Sequence, residues 1–328
     1  MGPGQRRQFL ITTGVLLAAP RAAWAQQRSK VVRLGFVTTG TAATSDFVAS
    51  FRDELRKLGW IEGQNIIVDY RYAMGDTQQL PALVAELLRL KVDLIVATST
   101  PGALAAKSAT SEIPIVFSMV SDPVASGIVT SLARPGGNIT GWSNMLPETS
   151  RKLLELLKEL VPKASRIVVL FDPSNAGKVL EIKALQANAQ RGGLTVQPLE
   201  VRSLNDVKAA FASMPPRRPD GLIALHDSVT GPNRKEIVEF AAEAKLPAIY
   251  QVSEFVDAGG LMSYGLNIAK QYRRTAVYVD KILRGAKPGD LPVEQPTVFE
   301  LVINLKAAQG LGLVIPQSIL LRADRLIE

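Results

Sequence analysis

The chain has 328 residues, of which 47% are hydrophobic, and it carries a formal net charge of +8 at pH 7. That length is too great for one ordinary hydrophobic core and fits two lobes of roughly 100–150 residues each, while the apolar fraction excludes an intrinsically disordered chain. The sequence contains no cysteine, which excludes disulfide bonds, thiol catalysis and a lipid-anchor cysteine.

Residues 1–25 have the pattern of a cleaved export signal. Arg6 and Arg7 precede an apolar run over residues 9–19, and Ala23-Trp24-Ala25 has the small-x-small pattern of a cleavage site. The run is shorter than the roughly 20 residues of a membrane-spanning helix, and a short buried helix is the alternative. The arginine pair is typical of the twin-arginine export route and also occurs in ordinary secretory signals. We therefore expect a mature protein that begins near Gln26 in a bacterial periplasm.

The net charge falls once this segment is set aside. Residues 1–25 contain three arginines and no acidic residue, so the remaining chain carries +5. Its basic side chains are scattered among acidic ones and form no long lysine or arginine run. This distribution predicts a solvated surface and no nucleic-acid partner.

Apolar β-branched runs alternate with amphipathic segments in the first half of the chain. The first predicted helix has Phe47, Phe51, Leu55 and Leu58 on one face and ends at Gly59. A short helix of small residues after Pro123 and a turn at Gly136-Gly137 are also predicted. The predicted strands are 32–37, 66–72, 94–97, 113–117 and 139–142, and the predicted helices are 46–58, 80–90 and 102–109.

The alternation restarts near Ser150 with a leucine-rich helix that ends before Pro162. The predicted helices of this half are 150–161, 178–190, 206–214, 235–244 and 271–283, and the predicted strands are 167–171, 194–201, 221–225, 248–252 and 261–264, with an extended piece at 299–304. Strands that alternate with helices predict parallel sheets with helices on both faces. The fold class is therefore α/β, with two doubly wound parallel-sheet lobes.

Short polar side chains follow nearly every predicted strand. Ligands of open parallel sheets bind beyond the carboxyl ends of the strands, so these positions are candidates for a cleft between two lobes. The alternative is that each residue only caps the next helix, since Ser, Thr, Asp and Asn are the usual N-cap residues. The strand-end groups include Thr39, Ser99, Thr100, Ser121, Asp122, Asp172, Asn175, His226, Asp227 and Tyr250.

The sequence lacks the residues of several catalytic and cofactor sites. His226 is the only histidine, and no Gly-x-Ser-x-Gly motif precedes a helix, so neither a histidine acid–base pair nor a serine hydrolase is indicated. Gly136-Gly137 is not followed by Lys-Ser/Thr, and no Gly-x-Gly-x-x-Gly follows the first strand. Zinc ligands are too few. We expect a non-enzyme without cofactor or metal.

Two long stretches carry a family resemblance. Residues 94–141, from "LIVATSTPGALAAK" to "LARPGGNITG", and residues 246–313, from "LPAIYQVSEF" to "LKAAQGLGL", resemble the periplasmic substrate-binding components of ABC transporters, in the family that includes tryptophan-binding members. The resemblance implies a type-I periplasmic-binding-protein fold with three crossing strands as a hinge. It implies an N-terminal lobe of residues 30–144 and about 265–293, and a C-terminal lobe of residues 145–264 and about 294–328.

The resemblance also implies a ligand held between the lobes. An α-amino acid would place its ammonium on Asp122 or Asp227, and an aromatic side chain could stack on Tyr250 or Tyr264. Thr39, Ser99, Thr100, Ser121 and Asp122 would line the first lobe, Asp172, Asn175, His226, Asp227 and Tyr250 the second, and Tyr264 a crossing.

The implied function is solute binding for an ABC importer, by a monomer that closes on a small solute, either an amino acid or an aromatic or carboxylate compound, and delivers it to a membrane permease. A ligand sensor for a membrane receptor is the first alternative, and a periplasmic hydrolase is the second.

Overall fold

A computed structural model describes residues 31–41, 45–144, 146–213 and 218–328. The predicted export signal, residues 1–25, lies outside these described residues. Within the described ranges, no helix has both the length and the apolar composition needed to cross a membrane.

The first sheet has five parallel strands in the order β2-β1-β3-β4-β5. Helices cover both faces, so the inner strands over residues 94–98 and 115–120 are almost wholly apolar and buried, as in other parallel sheets. Gly35 in β1 allows a close approach, because a Cβ there would lie 3.0 Å from a methyl group of Leu87. The strands are β1 (Val32–Thr38), β2 (Ile66–Tyr72), β3 (Leu94–Thr98), β4 (Ile115–Val120) and β5 (Ile139–Ser143), and the helices between them are α1 (Ser45–Lys57), α2 (Leu80–Arg89) and α3 (Ser99–Ala109).

The second sheet has seven strands in the order β12-β11-β10-β9-β8-β6-β7. The leucine-rich helix predicted near Ser150 packs its apolar face on this sheet, with Leu153, Leu156 and Leu157 fully buried. The strands are β6 (Arg166–Phe171), β7 (Thr195–Glu200), β8 (Gly221–Ala224), β9 (Ala248–Tyr250), β10 (Met262–Gly265), β11 (Glu300–Asn304) and β12 (Arg325–Ile327). The helices are α4 (Leu146–Leu160), α5 (Ala176–Arg191), α6 (Leu204–Ala212), α7 (Arg234–Glu243), α8 (Glu254–Asp257), α9 (Ile268–Leu283), α10 (Leu305–Gly310) and α11 (Gln317–Leu320).

The prediction of two parallel-sheet lobes is confirmed, with one exception in direction. β11 runs antiparallel to β10, and β12 runs parallel to β11. The chain leaves the second sheet at the end of β10, forms α9, and re-enters the sheet at the same end, where Gly265 lies opposite Glu300. Because β10 and β11 are antiparallel, no crossover helix is required between them.

Two local predictions near Pro123 have different outcomes. Residues 123–127 form turns and not the predicted helix, because Asp122 accepts hydrogen bonds from the N–H groups of Val124 and Ala125 and closes a turn instead. The predicted turn at Gly136-Gly137 is confirmed, since both glycines have positive φ, 72° and 62°.

The chain passes between the two sheets three times. It leaves the first sheet after β5, returns to it after β10 and crosses again before β11. The first and third crossings run side by side, because Ser143 N–H donates to Glu294 O at 3.0 Å and Glu294 N–H donates to Gly141 O at 3.1 Å.

α9 packs against α1, where Trp60 Nε1 donates to Asp280 Oδ1 at 2.9 Å, so a late segment covers the first sheet. The boundaries expected for the two lobes, 30–144 with 265–293 and 145–264 with 294–328, stay a prediction.

Candidate functional site

A cavity of about 210 Å³ lies between the two sheets, at the carboxyl ends of their strands. Its wall is polar on both sides and aromatic in one region. Thr38, Thr39, Thr98, Ser99 and Asn144 line it from the first sheet, and Asn175, Lys178, Glu181, His226, Asp227, Ser228, Arg234, Gln251 and Glu254 line it from the second. The aromatic region consists of Phe47, Phe255 and Tyr272.

The cavity-lining hydroxyl groups of the first sheet bond to one another, and Thr39 Oγ1 donates to Ser99 Oγ at 3.4 Å. Thr98 Oγ1 donates to Thr38 Oγ1 at 2.7 Å, so Thr98 does not cap α3, and the first amides of that helix have no side-chain cap. Ser99 begins α3 with a φ of 68°, which is rare for a residue with a Cβ and costs about 1–3 kcal/mol. A helix N-terminus with uncapped amides favours a negatively charged group, such as a carboxylate.

A buried network forms the opposite wall. Lys178 Nζ donates to Glu181 Oε2 at 2.8 Å and to Gln251 Oε1 at 2.9 Å, and Gln251 Nε2 donates to Glu181 Oε1. Gln251 Oε1 also accepts the backbone N–H of His226 at 2.8 Å. The lysine and glutamate charges of this network cancel each other, so the network adds no net charge to the wall.

Asp227 is buried and fully engaged by backbone groups. Its Oδ1 accepts the N–H groups of Val229 and Thr230, at 2.9 and 2.8 Å, and its Oδ2 accepts that of Asp172 at 2.8 Å. Burial raises the pKa of Asp227 although these N–H groups favour its charged form. The carboxylate therefore shapes the loop after β8 and has little capacity left for a ligand ammonium.

His226 lies beside this loop, and a Cβ at Gly231 would come within 2.9 Å of its Nε2. Burial, followed by the positive charges of Lys178 and Arg234, lowers the pKa of His226 from 6.5 to about 3. The imidazole is therefore neutral at neutral pH and can donate or accept one hydrogen bond at the cavity wall.

The lowered pKa of His226 predicts a loss of stability in acid. Between the two pKa values only the unfolded chain binds the proton, so the free energy of unfolding should decrease as pH falls from about 6.5 toward 3, by up to about 1.4 kcal/mol per pH unit. We expect His226→Gln to remove this component of the slope. Urea unfolding over a series of pH values measures it, and parallel profiles for the two proteins would contradict the prediction.

Five of the eleven predicted ligand-binding residues line the cavity. They are Thr39, Ser99, Asn175, His226 and Asp227. Each lies just after a strand of the first or the second sheet, and this placement was the basis of the prediction. Asn175 Oδ1 also caps α5 by accepting the Gly177 N–H at 3.0 Å, so this residue combines the structural role with a place in the wall.

Three of the other predicted residues have structural roles outside the wall. Thr100 Oγ1 accepts the N–H of Ser121 at 3.3 Å, and both residues pack against Gly177 of the facing α5. Asp122 is turned into its own loop, where Oδ1 accepts two backbone N–H groups. These residues therefore contact the other lobe or the local backbone and not the cavity.

The remaining three predicted residues also do not line the cavity. Asp172 accepts the N–H and hydroxyl of Ser174 and so closes the turn after β6. Tyr250 stacks on the cavity-lining Phe255 with ring centroids 4.6 Å apart and is thus behind it. Tyr264 stacks on Phe299 with ring centroids 5.7 Å apart and packs, half-buried, against the core of the second lobe.

The aromatic region was not predicted from the sequence, because its residues lie on helices and not directly after strands. Phe47 belongs to α1 and Tyr272 to α9, and their rings stack at 5.9 Å. Burial raises the pKa of Tyr272 to about 12, although bonds to Thr98 and Thr38 oppose the shift. The spacing of Lys178 and Glu181, one helical turn apart, was the available signal for the buried pair.

Known proteins share this arrangement. A family model described as ABC transporter substrate binding protein matches residues 38–327. A tyrosine-binding protein of Clostridioides difficile is 30% identical over 271 residues, which cover 83% of this chain and 76% of that protein.

Two solved structures with similar sequence identity differ in their likeness to this one. A domain from Streptococcus pneumoniae in complex with L-Trp has 28% identity and a TM-score of 0.83, with 90% of this chain and 99% of that chain covered. A substrate-binding protein with adhesive properties from Clostridium difficile, in its ligand-free, open structure, has 30% identity and the same coverage, with a TM-score of 0.65. The arrangement here is thus closer to that of the L-Trp complex. More distant structures, at 12% and 15% identity, share the two-lobed fold alone.

Proposed function

The chain belongs to the family of ABC transporter substrate-binding proteins, and from that premise we propose that it binds one aromatic amino acid in the cavity between its two sheets. In this proposal it acts in the periplasm as a monomer, and its closed form delivers the ligand to a membrane permease for import. The same proposal includes export of this chain by the twin-arginine route.

The observation that carries the proposal is that the cavity lining has a polar part and an aromatic part. An amino acid with an aromatic side chain likewise has a polar end and an aromatic end. Its ring can pack among Phe47, Phe255 and Tyr272, and its charged groups can reach the polar residues at the strand ends. The names of two relatives, one tyrosine-binding and one in complex with L-Trp, support the same class of ligand.

Closure of the two lobes explains how the protein could act in transport. The ligand would bind one lobe first, and closure would bring the second lobe onto it and exclude water. A permease could then distinguish the closed form from the open form. The likeness to the L-Trp complex supports the assignment of this conformation as the closed form.

A thermal-shift comparison tests the proposed ligand class. A ligand that binds only the folded state at about 100 times its Kd stabilises it by about 2.7 kcal/mol, which raises Tm by several degrees for a chain of this size. We expect this rise with L-tryptophan, L-tyrosine or L-phenylalanine and not with L-aspartate or a sugar. A rise with the sugar and none with any aromatic amino acid would overturn the proposal.

A further inference from the structure

Two buried side-chain oxygens in the cavity wall have no hydrogen-bond partner. They are Glu254 Oε2, at the start of α8, and Asn144 Oδ1, which follows β5. They come from opposite sides of the cavity. A buried polar atom without a partner costs about 1–3 kcal/mol, so such atoms are rare in folded proteins unless a ligand or water completes them. Both atoms are acceptors, which means that the missing partner is a donor.

The other carboxylates of the wall are already engaged. Glu181 bonds to Lys178 and Gln251, and Asp227 accepts three backbone N–H groups. Among the carboxylates that line the cavity in the described part of the chain, Glu254 is thus the one with a buried oxygen that has no hydrogen-bond partner.

Glu254 is also placed to favour a positively charged partner. Burial raises the pKa of its carboxyl, and the nearby carboxylates of Asp257 and Glu300 act in the same direction, while Arg234 and its own backbone N–H oppose them. A cation that enters the cavity would relieve the cost of holding this negative charge in a poorly hydrated site.

Arg234 supplies the opposite charge on the same wall. Its Nη1 donates to Gly231 O at 3.1 Å, and no described carboxylate forms an ion pair with its guanidinium. Lys178, the other cation of the wall, is held by Glu181. The cavity therefore offers one carboxylate and one guanidinium that are not committed to each other, which suits a zwitterion.

We propose that Glu254 and Asn144 accept hydrogen bonds from the α-ammonium group of the ligand, so that the cavity selects amino acids with a free amino group over their deaminated analogues. An ammonium has three donors in a compact group, so it can bond to acceptors from both sides of the cavity at once. This inference rests on the proposed function, because it assigns one subsite within the same cavity.

A pair of ligands that differ in one group tests the assignment. L-tryptophan and indole-3-propionate share the ring and the carboxylate, and the second lacks the amino group. We expect calorimetry to show that L-tryptophan binds at least about 100-fold more tightly than indole-3-propionate. Glu254→Gln should remove most of that preference, because it lowers the affinity for L-tryptophan and leaves the affinity for indole-3-propionate unchanged. Asn144→Leu should also lower the affinity for L-tryptophan, with a smaller effect.

Asp257→Asn is the matched control, since it removes a nearby exposed carboxylate that pairs with Arg325 at 2.8 Å and does not line the cavity. It should leave the preference intact.

The affinity of the parent protein for L-tryptophan should also decrease in acid, because protonation of Glu254 removes the negative charge that holds the ammonium. Since the pKa of Glu254 is raised, this decrease should begin at a higher pH than for an ordinary glutamate. Glu254→Gln should abolish the pH dependence.

The outcomes separate the two proposals. Equal binding of L-tryptophan and indole-3-propionate by the parent protein, or an unchanged preference in Glu254→Gln, would overturn the ammonium subsite and leave the ligand class standing. Failure of every aromatic amino acid and of every deaminated analogue to bind would instead overturn the proposed function.

Discussion

The Gly177→Leu variant should fold normally and bind its ligand about 100-fold more weakly than the parent protein. Gly177 lies in the first turn of α5, and a Cβ at this position would be 2.4 Å from Thr100 Oγ1 and 2.9 Å from Ser121 Cβ, both on the facing lobe. A side chain there would hold the lobes apart without disturbing either sheet. Apparent affinity falls in proportion to the fraction of molecules that can close, so a 1% closed population gives about this loss.

Small-angle scattering with and without ligand measures closure, and calorimetry measures affinity. Gly310→Leu is the matched control, because Gly310 is also helical and a Cβ there meets nothing within 4 Å. We expect the control to bind as the parent does. A Gly177→Leu protein that has the affinity of the parent and shows the same decrease in radius of gyration on ligand addition would show that α5 and the Thr100–Ser121 surface do not limit closure.

The second large effect concerns the buried pair of Lys178 and Glu181, whose side chains are 7% and 1% exposed. Removing one partner leaves the other charge buried and uncompensated, which typically costs about 3–5 kcal/mol. We expect this loss for Lys178→Met and for Glu181→Leu. The double variant should recover most of the stability, since an apolar pair of similar volume is often neutral relative to a buried ion pair.

Urea unfolding of the four proteins gives the interaction energy as a double-mutant cycle. The pair of Lys57 and Glu54 has the same spacing along a helix, an N···O distance of 3.1 Å and a lysine side chain that is 66% exposed. Lys57→Met is therefore the control and should change the free energy of unfolding by less than about 1 kcal/mol. Losses that simply add in the double variant would contradict a coupled, buried pair.

The layered architecture was predictable because it depends on periodicity. Apolar runs such as β3 and β4 alternate with amphipathic helices, and parallel sheets follow from that order. The resemblance to periplasmic substrate-binding components is likewise confirmed by the family match. Strand direction is not encoded in periodicity, so the antiparallel entry of β11 could not be seen from the sequence.

The cavity was predictable in part for a similar reason. Residues directly after strands, such as Ser99 and His226, reach its wall because the carboxyl ends of parallel strands face the cleft. Tyr272 and Glu254 belong to helices whose placement depends on long-range packing, and no local pattern marks them. The sequence also could not show that Asp122 would be turned into its own loop, because a short acidic side chain fits a cap and a ligand site equally well.

The return of α9 to the first sheet has a consequence for folding. The helix that covers α1 is made of residues 268–283, and the last strand of the second sheet ends at Ile327. Neither sheet can therefore be completed by one continuous stretch of chain, because the first is covered by α9 and the second receives β11 and β12 after that helix. Contacts of such long sequence separation slow folding.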